Sequence, residues 1–112
     1  MTSADWKLDP DELASLFNDK TKAIIYNNPN NPLGKIYRRE EIEVIADLCK
    51  KHNVLCISDD VYEHMVFDGN EMIRIATLPG MWDRTITIGS AGKTFSVTGW
   101  KLGWAIGPKH LL

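Results

Sequence analysis

KAIIYNNPNNPLGKIYRREEIEVIADLCKKHNVLCISDD, residues 22–60, changes its periodicity three times. Lys22–Tyr26 is a short apolar run of the kind that forms a buried strand. NNPNNPLGK, which follows, is turn chemistry throughout. Over Tyr37–His52 the residues Ile42, Ile45, Ala46 and Cys49 fall at i, i+3, i+4 and i+7, with charges on the other face, which predicts an amphipathic helix. Val54–Ser58 then reads as a second buried strand, ending at Asp59-Asp60.

Upstream, LDPDELASLF predicts a first helix: Asp9 caps it, Pro10 takes the first helical position, and Glu12 follows Asp9 at capping-box spacing. Downstream, a loop region runs through Leu78-Pro79-Gly80. Thr85–Gly89 is a third strand, and Trp104–Ile106, flanked by Gly103 and Gly107, a fourth. The order helix, strand, helix, strand, strand predicts an α/β fold with a mainly parallel sheet and flanking helices. Polar residues stand where strands end: Asn31, Asp59 and Ser90. Open α/β sheets bind ligands at the carboxyl ends of their strands, so these three are expected to converge.

Composition sets the bounds. Across 112 residues the hydrophobic share is 44%, too high for global disorder. No apolar run approaches the roughly 20 residues of a membrane helix. MTSADWKLDPDEL is polar and acidic, unlike a signal or transit peptide. A net charge of -2 argues against nucleic-acid binding by bulk charge. Charge is uneven, however: all 15 acids lie in residues 1–83, whereas Arg84, Lys93, Lys101 and Lys109 have no acid among them. An anionic ligand suits that end. Cys49 and Cys56 have no zinc-ligand spacing and read as buried, reduced thiols; no metal site is expected. Trp6, Trp82, Trp100 and Trp104 read as packing residues, and His52, His64 and His110 as ordinary polar positions.

GSAGKTFSVTGWKLG, residues 89–103, invites two readings. A nucleotide-binding phosphate loop would need glycine where Thr87 stands, and Gly89 comes two residues late. The other reading rests on four motifs in order: Asn30-Asn31-Pro32-Leu33-Gly34, Asp59-Asp60-Val61-Tyr62, Ser90-Ala91-Gly92-Lys93, and Gly99-Trp100-Lys101-Leu102-Gly103. Together they resemble the N-P-x-G, D-x-x-Y, S-x-x-K and G-x-[RK]-x-G segments of the fold-type I pyridoxal-phosphate aminotransferases of class I and II. Residues 27–35 and 78–108 look especially like the kynurenine aminotransferase group, also called glutamine transaminase K or cysteine-S-conjugate beta-lyase.

The resemblance implies a cofactor, pyridoxal 5'-phosphate, and a role for each matched residue. Lys93 would form the imine with its aldehyde, which requires a neutral amine and hence a desolvated, cation-rich site. Asp59 would keep the ring nitrogen protonated. Tyr62 and Asn31 would bond the ring's phenolic oxygen, Asn31 also reaching the substrate. Ser90 and Lys101 would hold the phosphate, Lys101 as a point charge where most relatives carry arginine. Gly99 and Gly103 would permit close backbone approach, and the Asn31-Pro32 bond is expected to be cis. Asp60 stands where many relatives have glutamate.

Lys93, Asp59 and Tyr62 are thus the expected catalytic residues. The implied reaction transfers an amino group from kynurenine- or glutamine-type amino acids to a 2-oxo acid, with beta-elimination from cysteine conjugates in competition. Chains of the family are roughly four times longer, beyond one ordinary domain. Residues 1–112 are therefore expected to be part of the large cofactor domain, without the small domain, with Met1 the start of a truncated product or of a partial gene model, and the fragment inactive alone. The full-length enzyme is expected to be a homodimer, cytoplasmic or mitochondrial, bound to neither nucleic acid nor membrane. The rivals are the phosphate-loop domain and a non-catalytic fragment whose exposed sheet edges drive association.

Overall fold

The computed structural model describes residues 5–112. Readings that rest on residues 1–4, including Met1 as a starting point, lie outside the described residues. Helix α1 spans Pro10–Leu16, strand β1 Ala23–Asn27, helix α2 Arg39–His52, strand β2 Leu55–Asp59, strand β3 Thr85–Ser90, helix α3 Ala91–Thr94 and strand β4 Gly103–Ile106. Single 3₁₀ turns cover Ile75–Thr77, Trp82–Arg84 and Thr98–Trp100. The four strands form one sheet in the order β1-β2-β3-β4. The first three run parallel and β4 is antiparallel to β3, as expected of a mainly parallel sheet.

Local chemistry accounts for the helix ends. The Asp9 carboxylate accepts the N–H groups of Asp11 and Glu12, both at 3.0 Å, and Pro10 opens α1 where no N–H partner is needed. Helix α2 stops at Asn53 in the left-handed region (φ 53°), whose N–H reaches the Cys49 and Lys50 carbonyls. Lys50, Lys51 and His52 stand in its last turn, where positive charge suits the helix dipole. Ile42, Ile45, Ala46, Leu48 and Cys49 are buried from α2. They meet Tyr26 and Cys56 on one sheet face, together with Val54, Ile75, Leu78 and Met81, in a single core.

Among the described residues the opposite face of the sheet is less completely covered. By register Ile25, Ile57 and Ile86 share the opposite face, and Ile25 is 74% exposed. The reading of β1 and β2 as fully buried strands is corrected accordingly: alternate residues of each point away from the core. Trp104 is 37% exposed, yet its ring packs over Gly89, where a Cβ would lie 2.0 Å from the indole nitrogen. Trp6, Trp82 and Trp100 are exposed, so their reading as packing residues does not hold in this chain. Both cysteines are free and buried. Burial pushes the Cys49 thiol up to about 11, against the opposing charge of Arg84, and raises Cys56 as well. Among the described residues no helix is long and apolar enough to cross a membrane, and no cluster of His, Cys, Asp or Glu could hold a metal ion.

Glu41, in the first turn of α2, fastens the preceding segments. One carboxylate oxygen accepts the Leu8 N–H (2.8 Å) and the Lys35 ammonium (2.5 Å), and the other accepts the Arg38 N–H (2.9 Å). Lys35 also bonds the Trp6 carbonyl and lies 4.5 Å from the centre of the Tyr37 ring. Burial alone would raise the Glu41 pKa, but the Lys35 and backbone donors outweigh it and hold the group below its ordinary 4.5. A carboxylate lowered by folding stabilises the fold above that ordinary value and loses the effect as pH falls through the folded one. Glu41→Gln should therefore cost about 2 kcal/mol at pH 7. In urea unfolding across pH, the gap between the two proteins should close as pH falls below 4.5. A gap that stays constant down to pH 3 would refute this account.

Candidate active site

The site is assembled at the carboxyl edge of the parallel strands. Asn27 ends β1 and Asp59 ends β2, side by side in register, and Ile88 of β3 lies opposite Asp59. These three share a face, and Ser90, two residues past Ile88, returns to it. The Asp59 carbonyl accepts both the Asn27 side-chain amide (3.0 Å) and the Asn28 N–H (3.2 Å). Asn27 Oδ1 in turn accepts the Asn31 N–H (2.8 Å), which hangs the loop on the strand end. Asn28 is fully buried, and its Oδ1 takes the Tyr37 N–H at 3.1 Å. The loop holds two cis peptide bonds, the expected one at Asn31-Pro32 and a second at Asn28-Pro29.

From this loop the Asn31 amide nitrogen comes within 3.5 Å of the Tyr62 hydroxyl. The pair lines a hollow of about 410 Å³ whose outer wall includes Met65 and Phe67. A second hollow, of about 370 Å³, opens at the end of β3 and is lined by Ser90, Lys93, Lys101, Val61, Ile88 and several glycines. No carboxylate of the described residues lines it. Ser90 caps α3 and accepts the Lys93 N–H at 3.3 Å, which leaves its own hydroxyl proton to donate. Lys101, with φ 54°, closes the Thr98–Trp100 turn. The walls are drawn together by Ala91 N–H on the Leu102 carbonyl (3.1 Å) and Thr98 Oγ1 on the Gly92 carbonyl (3.3 Å). Glycine at 103 lets β4 approach β3, since a Cβ there would lie 2.9 Å from the Gly89 carbonyl. At Gly99 no described atom would come within 4 Å of a Cβ.

Five of the six expected residues thus fall into two adjoining groups. Asn31 and Tyr62 line one hollow, and Ser90, Lys93 and Lys101 line the other. Asp59 stands at the strand end beside Ile88, with its carboxylate 3.4 Å from the Val61 N–H. One expectation is corrected: the Lys93 side chain is exposed, and the described residues do not provide the desolvated pocket foreseen for it. Gly92-Lys93-Thr94 lies within the four-residue α3 and Thr87 within β3, so no glycine-rich loop wraps a phosphate chain. The basic end of the chain is also divided in use. Arg84 bonds the Cys49 carbonyl (3.3 Å) and Asn53 Oδ1 (3.1 Å), a structural task away from the hollow.

Sequence reading missed a supporting layer beneath the site. Asp60 is buried, and its Oδ1 accepts the Ser58 hydroxyl at 2.6 Å. Its Oδ2 has no hydrogen-bond donor among the described residues, and the Arg74 Nε stands 4.0 Å away. Burial raises the Asp60 pKa, only partly countered by Ser58 and Arg74. Strand parity was the available signal: of two adjacent aspartates, one faces the ligand edge and the other the core. Asn27 could have been found the same way, as the polar neighbour of Asp59 across the sheet.

Comparison with known proteins agrees with this geometry. The family profile "Aminotransferase class I and II" matches residues 1–112. The chain is 72% identical over 111 residues to kynurenine–oxoglutarate transaminase 3 of Bos taurus, covering 99% of this chain and 24% of that protein. To kynurenine–oxoglutarate transaminase 1 of Homo sapiens it is 60% identical over 111 residues, covering 99% of this chain and 26% of that one. Among solved structures, N-succinyldiaminopimelate aminotransferase from Mycobacterium tuberculosis superposes with a TM-score of 0.91 at 45% identity, over 93% of this chain and 27% of that one. An aromatic aminotransferase from Pyrococcus horikoshii superposes at 0.86 with 44% identity, over 91% and 27%. The chain spans about a quarter of the length of the relatives it matches. On the sheet, the strand-end residues and the match along its whole length, the chain belongs to the aminotransferase class I and II family.

Proposed function

We propose that residues 1–112 form part of the large, cofactor-holding domain of a pyridoxal-phosphate-dependent aminotransferase, one that moves an amino group from kynurenine- or glutamine-type amino acids to a 2-oxo acid. The family depends on pyridoxal phosphate in general, acts on amino acids and 2-oxo acids, and is typically dimeric. The observation that carries the proposal for this chain is the single sheet edge that gathers Asp59, Ser90, Lys93 and Lys101 beside the Asn31–Tyr62 pair. The donor set fits the cofactor. A hydroxyl and two ammonium groups with no lining carboxylate suit a phosphate ester. A carboxylate on the neighbouring strand end suits a protonated ring nitrogen, and a primary amine suits an aldehyde.

Bound pyridoxal phosphate supplies a sink for the electrons left when a substrate gives up its α proton. Ser90 Oγ and Lys101 Nζ hold the phosphate, Ser90 donating the proton that its contact with Lys93 leaves free. Asp59 holds the proton on the ring nitrogen. Tyr62 Oη and Asn31 Nδ2 donate to the phenolic oxygen, and Asn31 also reaches the substrate. Lys93 Nζ would hold the cofactor through its aldehyde group and, when free of it, would be the amine placed to take and hand on the substrate's α proton. Where a substrate bears a leaving group on its β carbon, as cysteine S-conjugates do, loss of that group competes with transfer. The working enzyme in this proposal is a homodimer of longer chains.

Borohydride trapping tests the assignment of Lys93. After incubation with pyridoxal phosphate and reduction, a peptide digest should carry the pyridoxyl mass on Lys93, and Lys93→Ala should lose it. Labelling spread over the lysines and unchanged in Lys93→Ala would overturn the assignment. The phosphate role makes a second prediction, read by spectrophotometric titration with the cofactor. Lys101→Met should raise the dissociation constant of pyridoxal phosphate about 30-fold, the equivalent of about 2 kcal/mol for one charge-assisted bond. Lys101→Arg, which keeps the charge, should hold it within a few-fold of the starting value.

A further inference from the structure

The turn that carries Tyr62 is gripped from behind. After β2 the chain makes two overlapping turns, closed by Glu63 N–H on the Asp60 carbonyl (2.9 Å) and Met65 N–H on the Tyr62 carbonyl (2.8 Å). The two acidic side chains of this segment meet the same cation. Arg74 Nη2 bonds Glu63 Oε2, and Arg74 Nε lies 4.0 Å from Asp60 Oδ2. Tyr62, between the two acids, reaches instead toward Asn31 at 3.5 Å. Acids on one side and the phenol on the other define the turn's rotation about its own axis.

Arg74 is well placed to hold that rotation. Its carbonyl accepts both the Thr77 N–H (3.0 Å) and the Thr77 hydroxyl (2.7 Å), and the next residue, Ile75, is fully buried. The guanidinium therefore extends from a fixed backbone. The Asp60 end of the grip is buried, where a carboxylate is costly unless a countercharge or donor offsets it. Ser58 supplies the donor and Arg74 the countercharge. The Glu63 side chain is 16% exposed, so water screens that contact only in part. The fork of a guanidinium can engage two carboxylates at once, which an ammonium cannot do with the same geometry.

We propose that Arg74 is a positioning residue that acts through Tyr62: by clamping Asp60 and Glu63 together, it sets the Tyr62 hydroxyl toward the cofactor edge. The proposal rests on the reading of Tyr62 given above. Two measurements on the full-length protein test it. The first, hydrogen exchange of the cofactor-free protein, needs no cofactor: Arg74→Met should exchange about three-fold faster in the 60–65 segment, the scale set by a partly exposed ion pair. The second is the pH midpoint of the absorption band of bound pyridoxal phosphate. Tyr62→Phe should raise that midpoint, Arg74→Met should raise it by less, and the double variant should match Tyr62→Phe alone. Glu63→Gln, which leaves the buried Asp60 contact in place, should shift both readouts in the same direction and serves if Arg74→Met does not fold. Unchanged exchange overturns the clamp. Faster exchange with an unmoved midpoint, or additive midpoints, overturns action through Tyr62. Absence of the band in the unsubstituted protein overturns the cofactor reading itself, and the proposal with it.

Discussion

The carbonyl oxygen of Asp59 accepts two donors from the end of the neighbouring strand, the Asn27 amide and the Asn28 N–H. A carbonyl has two lone pairs, and this one uses both. The loop that follows β1 is therefore fixed to the last residue of β2 rather than to its own strand alone. The other end of the Asn27 amide holds the Asn31 N–H, so Asn31 cannot move without disturbing the β1–β2 junction. The residue whose carbonyl makes this junction also carries the carboxylate that faces the ligand edge. Asn31 and Tyr62 on one side and Ile88 and Ser90 on the other are set relative to that point.

Alternation along β2 sorts the remaining work. Ser58 and Asp60 lie on the core side and bond each other, whereas Asp59, between them, lies on the open side. The same backbone thus bears a site on one surface and its support on the other. At the end of β3 the separation is achieved by close approach. Trp104 lies over Gly89, and Gly103 lies against the Gly89 carbonyl, so β4 is drawn against β3 where the second hollow opens.

Much of this was legible in the residues. Asp9 and Pro10 mark the start of α1, the Ile42–Cys49 spacing marks the buried face of α2, and the four motifs bring five of the six expected residues to two adjoining hollows, with Asp59 at the strand end beside them. What was not legible depends on contacts between distant segments. An apolar run such as KAIIY does not reveal whether one face of its strand is covered or both, and Ile25 is exposed. The surroundings of Lys93 depend on which elements roof it, which its own motif does not encode. Arg74 belongs to no motif, and its meaning appears only when the chain brings it back beneath a turn eleven residues earlier.

Cys49 and Cys56 are both fully shielded in the same core, one on α2 and one on β2. Burial disfavours their thiolates, the forms that alkylating reagents attack. Neither sulfur can react until the helix lifts from the sheet. The pair is therefore a built-in chemical clock: under conditions where reaction outpaces reclosure, the rate of alkylation counts the openings of this core directly, without an added probe.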